Sequence, residues 1–71
     1  MTNPGLLAAV ILQTITERYV VNELAIPENV LKLKDETMRL YEKSRRETNA
    51  DILGDYSRRL SEIKDALDKG E

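Results

Sequence analysis

The side chains able to do chemistry in this chain are carboxylates, guanidiniums and tyrosines; His and Cys are absent. Asp51 with Asp55, and Glu62 with Asp65, stand about one helical turn apart, which brings each pair to one face of a helix. A hard cation could bridge such a pair. A solvated face accounts for them better, because Arg58 and Arg59 precede Glu62 by one turn and balance the charge. Without imidazole or thiolate, neither a nucleophile–base pair nor a zinc site has its usual parts. The glycines are scattered, so no phosphate-cradling loop forms. The sequence therefore assigns no catalytic residue, no cofactor and no metal, and an enzyme is not expected. Catalysis by electrostatics alone would need buried, converging arginines, whereas the spacing puts these on outer faces.

The densest basic region holds Arg39, Arg45, Arg46, Arg58 and Arg59, with Lys43. It is the candidate contact for an anion, a phosphate or a nucleic-acid backbone. Glu42, Glu47, Asp51 and Asp55 are interleaved with it, so a solvated, self-balanced surface is the simpler expectation. Tyr41 and Tyr56 sit on apolar stripes. Core packing with the hydroxyl reaching water suits them better than stacking on bases. Tyr19 ends an apolar stripe and is harder to place.

A net charge of −2 exerts no broad pull on nucleic acid or on an anionic membrane. The longest apolar run, Leu6 to Leu12, is seven residues, far short of the ~20 that a bilayer span needs. The segment before it carries no charged side chain, unlike a secretory leader. No membrane partner is expected, and the cytoplasm is the expected compartment.

Three helices must position these groups, at about 4–24, 27–46 and 49–69. Asn3-Pro4 starts the first, with Asn3 as cap and Pro4 at a position where its missing N–H is not needed. At 100° per residue, Ala8, Ile11, Leu12, Ile15 and Tyr19 share one face. Leu6, Val10, Val21 and Leu24 share the opposite face, with Gln13 and Glu17 between them. One side suits the chain's own core and the other a second subunit. The expected interface set is Leu6, Leu7, Val10, Ile11, Leu12, Ile15, Tyr19 and Val21.

Pro27 disfavours helix at Ile26 and starts the second helix, where Glu28 suits the helix dipole. Its stripe is Val30, Leu33, Thr37, Leu40 and Tyr41, widened by Leu31 and Met38. The third helix is expected to start on Thr48, with Asp51 completing an arrangement that resembles a capping box. Leu53, Tyr56, Leu60, Ile63 and Leu67 then follow at coiled-coil spacing over two heptads. Gly54 lies off this seam and costs about 1 kcal/mol relative to Ala. Lys69-Gly70 closes the helix.

A turn at Thr48 makes the last two helices antiparallel and sets Tyr41 against Tyr56, Thr37 against Leu60, Leu33 against Ile63 and Val30 against Leu67. The rival is one unbroken helix over 27–69, but it would put Arg45 and Asn49 in the middle of its buried stripe. The hairpin is the favoured reading. A further alternative starts from the β-branched and aromatic run Tyr19-Val20-Val21. A strand from Arg18 to Ile26 followed by two helices would resemble the ribbon-helix-helix plan of small DNA-binding repressors. The second helix is long for that plan, and the strand lacks a row of basic residues to read bases.

A chain of 71 residues buries only about 60% of its unfolded surface, so a solitary core is marginal. The expected fold is all-α: one small domain over 1–71, with helix one beside an antiparallel helical hairpin, assembling into an oligomeric bundle. The expected partners are further copies of the chain, as a dimer or larger, and another protein. The expected function is that of a non-enzymatic interaction or assembly protein: a regulator, an inhibitor or a structural adaptor. The alternative is a dimeric nucleic-acid-binding regulator, either a helical-hairpin RNA binder or a ribbon-helix-helix-like DNA binder. The charge balance makes a testable statement. Mixed RNA and duplex DNA at physiological salt should show no gel retardation below about 10 μM protein, and retardation abolished by Arg58→Glu would promote the alternative.

Overall fold

The computed structural model describes residues 3–69. Three helices form an up-down-up bundle: α1 (Pro4–Ile15), continued by a π-helical segment (Thr16–Val20), then α2 (Glu28–Arg46) and α3 (Ala50–Asp68). The order of ends follows from specific contacts. At the start of α1, a Cβ on Gly5 would lie 3.6 Å from Tyr41 near the end of α2. At the other end, Arg18 Nη1 donates to the Leu67 carbonyl at 2.5 Å, and Arg18 Nη2 lies 3.6 Å from Asp68. So α1 runs antiparallel to α2 and parallel to α3.

The chain turns through Glu47, Thr48 and Asn49, and the continuous-helix rival is excluded. The hairpin register is visible in the Glu36–Arg59 pair, whose chain neighbours Thr37 and Leu60 are both fully buried. The cap of α3 is Asn49, not Thr48. Asn49 Oδ1 accepts from the N–H groups of Asp51 at 2.9 Å and Ile52 at 3.4 Å. Glu47 Oε1 accepts from the N–H groups of Thr48 and Asn49. Thr48 is thereby held in the turn, one residue too early to cap. At the first helix the expected cap forms, with Asn3 Oδ1 accepting from Gly5 N–H at 2.8 Å.

The core is one cluster: Ala8, Ile11 and Ile15 from α1, Val30 from α2, and Leu60, Ile63 and Leu67 from α3. Leu7, Tyr19, Ile26, Leu33 and Leu40 pack partly buried against it. Thr37 is buried within α2, its hydroxyl donating to the Leu33 carbonyl at 2.7 Å. Among the described residues no buried side-chain nitrogen or oxygen lacks a hydrogen-bond partner. The molecule measures 39 × 21 × 17 Å with a radius of gyration of 12.2 Å. A domain of this length is expected near 11 Å, so the bundle is elongated.

The first helix ends sooner than its apolar pattern suggests. Regular α-helix stops at Ile15, the π segment ends at Val20, and residues 21–23 form a turn. The Val21 N–H reaches back five residues to the Thr16 carbonyl, as a π-helix requires. Glu23 N–H then bonds the Val20 carbonyl and Leu24 N–H the Tyr19 carbonyl. These two bonds are the Schellman pattern, with Glu23 in the left-handed position that glycine usually fills. Its φ of 57° is the sole positive value among the described non-glycine residues. Asn22 Nδ2 adds a tie to the Glu17 and Arg18 carbonyls. A stop marked by Glu rather than Gly carries no sequence signal.

No strand occurs among the described residues, and 18–26 is π-helix, turn and linker. The ribbon-helix-helix alternative therefore fails for want of its ribbon. The Gly70 part of the expected α3 stop lies outside the described residues.

Two glycine exchanges in opposite senses test these assignments. A left-handed non-glycine residue costs about 1–2 kcal/mol, less what glycine loses in the unfolded chain, so Glu23→Gly should stabilise by roughly 0.5–1 kcal/mol. A Cβ at Gly54 would meet nothing within 4 Å, so Gly54→Ala should gain about 1 kcal/mol. Each should raise Tm by several degrees in a thermal melt followed by circular dichroism.

Candidate functional site

Burial of Pro4, Ala8, Ile11 and Ile15 uses one narrow stripe of α1. The remainder of its apolar surface faces outward: Leu6 is 67% exposed and Val10 40%, and Ala9 is exposed beside them. On α2, Leu31, Met38 and Tyr41 are exposed at 40%, 51% and 38%. Leu31 and Met38 stand a heptad apart and Tyr41 one turn further on. That flank of α2 borders α1, since Tyr41 meets Gly5, while Glu36 on the opposite flank reaches α3. The two sets meet at an open groove of about 430 Å³ lined by Asn3, Gly5, Leu6, Ala9, Leu12 and Tyr41, which with Leu31 and Met38 further along α2 makes an α1/α2 face. Val10, about 100° round the helix from Ala9, lies on the side of α1 away from α2.

The expected interface set divides on this geometry. Ile11 and Ile15 lie in the chain's own core at 0% and 2% exposure and are closed to any partner. Leu7 and Tyr19 pack partly buried against that core. Leu12, expected on the main buried stripe, is half-buried at the groove. Leu6, Val10 and Val21 are open, Val21 beyond the helix, in the turn. Met38, Leu31 and Tyr41, read in the sequence as part of a wide second stripe, supply the rest of the face.

The arginines do not converge. Arg59 makes a two-pronged pair with Glu36, Nε to Oε2 at 2.5 Å and Nη2 to Oε1 at 2.8 Å, and also reaches Glu62. Arg58 pairs with Asp55 at 2.8 Å. Arg45 and Arg46 both lean on Glu42, at 3.8 and 3.7 Å, and Arg45 also stands 5.9 Å from the Tyr41 ring centre. Arg39 makes no ion pair among the described residues. Tyr56 is half-buried on α3. The paired carboxylates remain on solvated faces, and no group of three or more potential ligands comes together among the described residues. Among the described residues, no helix is long and apolar enough to cross a membrane.

The geometry thus defines a small three-helix bundle with an apolar groove between α1 and α2 and dispersed, mostly paired arginines. Comparison with protein-family models, with curated proteins and with solved structures finds no match to the chain.

The Glu36–Arg59 pair gives a pH signature. The hydrogen bond from Arg59 lowers the Glu36 carboxyl below its ordinary 4.5, partial burial opposes this, and the charges of Arg59 and Arg39 add to the lowering. A lowered folded-state value means the unfolded chain holds the proton more readily. The contribution is therefore complete above about pH 4.5 and is lost as pH falls through the lower folded value. Because pairs this exposed are worth at most about 1 kcal/mol, Glu36→Gln should cost little at neutral pH and flatten the acid limb of the stability curve below pH 4.5. Urea titrations over pH 2.5–7 check this, since they span the range in which carboxylates titrate.

Proposed function

We propose that this chain is a non-enzymatic interaction protein that works through protein–protein contacts on the α1/α2 face, in the manner of a regulator, inhibitor or adaptor acting in the cytoplasm. The observation that carries this reading is the set of exposed apolar side chains Leu6, Leu31, Met38 and Tyr41 on the α1/α2 side of the bundle. Scattered apolar residues are ordinary on a protein surface, but a contiguous patch framed by polar groups marks a contact site. The arginines weigh against the nucleic-acid alternative. Four of the five candidates are already matched by carboxylates of the same chain, and a phosphate would have to displace them.

The double variant Leu6→Asp/Met38→Asp tests the reading. Both side chains are exposed, so helicity and Tm should stay near wild type. Assembly with itself, or with a protein retained from cells of the source, should be lost. Wild-type and variant chains that behave alike in sedimentation and in affinity capture would sink the proposal.

A further inference from the structure

We propose that the α1/α2 face is covered by a second copy of this chain, packed antiparallel so that each helix of the face lies along its own counterpart. This rests on the reading of that face as a protein contact. Helix α2 carries opposite charges at its two ends: Glu28 in the first turn, and Lys43, Arg45 and Arg46 in the last. Glu28 makes no ion pair among the described residues, and the one ion pair of Arg45 is the 3.8 Å contact with Glu42, beside its 5.9 Å approach to the Tyr41 ring centre. Antiparallel self-pairing brings each acidic start to a basic end. A parallel copy with α2 stacked on α2 would instead set arginine beside arginine and glutamate beside glutamate, and a parallel copy with α2 on the partner's α1 would leave these charges unmatched.

One apolar pair and one charged pair agree on one register, in which Met38 falls opposite the partner's Lys34. Aligning Tyr41 with the partner's Leu31 also brings Arg45 to the partner's Glu28, within one residue, because the two pairs are centred on almost the same point of α2. That point lies beside the middle of α1, where Leu6 would face the partner's Gln13. Ala9, exposed and small, allows the two α1 helices to approach closely. Such an arrangement is isologous and closes as a dimer. The bundle is 39 Å long and 21 Å wide, so a two-helix face can supply about the 800 Å² per partner of a standard stable interface.

The chain has no cysteine, which makes cross-linking clean. In an equimolar mixture of Leu6→Cys and Gln13→Cys under mild oxidation, the mixed disulfide should exceed either homodimer several-fold by mass spectrometry. Arg45→Glu or Glu28→Arg alone should weaken dimerisation about tenfold in sedimentation equilibrium, and the two together should restore it. Predominant Leu6→Cys homodimer, or no rescue by the double exchange, overturns the antiparallel register. A monomer throughout the micromolar range overturns the second copy as occupant. In that case, protein capture lost in Leu6→Asp/Met38→Asp keeps the interaction reading alive, and capture unchanged in that variant removes both.

Discussion

Ala8, Ile11 and Ile15 form the wedge on which the bundle depends. They complete a cluster with Val30 of α2 and with Leu60, Ile63 and Leu67 of α3. Of α2, only Val30 and Thr37 are fully buried, so α2 has little hold on α3 without α1 to close the cluster from above. At the flanks, polar ties orient the same contacts. Glu36 to Arg59 joins α2 to α3, and Arg18 to the Leu67 carbonyl joins the end of α1 to the end of α3. In a chain without disulfides, removal of this wedge would expose nearly all the fully buried apolar surface at once.

The length of α1 is set by its stop rather than by its hydrophobic pattern. The π segment and the Schellman turn at Glu23 end the helix and redirect the chain. The linker then returns Ile26 to the edge of the core, where it packs partly buried. A helix continued to Leu24 would carry the chain past the ends of its neighbours and leave Ile26 without this place. The left-handed Glu23 is a local cost offset by that packing.

A three-helix core of this size needs one stripe from each helix, and α1 and α2 each carry more apolar surface than one stripe can use. Part of the surplus meets where α1 and α2 adjoin, at Leu6 and Tyr41, and part lies beyond α1, where Val20, Val21 and Leu24 are exposed. The charges follow a different logic. Four of the five arginines in the basic region pair with carboxylates along or between helices, which leaves them solvated and dispersed.

Much of this was legible in the residues themselves. The periodicity of Leu53, Leu60, Ile63 and Leu67, and that of Val30, Leu33, Thr37 and Leu40, determined two amphipathic helices. The matching lengths of their stripes determined a hairpin, and Asn3-Pro4 and Pro27 marked helix starts. These are local effects, decided by side chains one turn apart and by backbone groups that need caps. Only the tertiary structure decided which of two adjacent residues, Thr48 or Asn49, caps α3: Asn49 Oδ1 takes the Asp51 N–H that a Thr48 cap would use, while Glu47 holds the Thr48 N–H in the turn. It also decided that α1 stops early, that Ile11 and Ile15 turn inward while Leu12 sits at the groove, and that Leu6 and Tyr41 border one surface. Those outcomes depend on how three helices share a single interior, and a helix's own periodicity cannot say which of its two apolar faces its neighbours will cover.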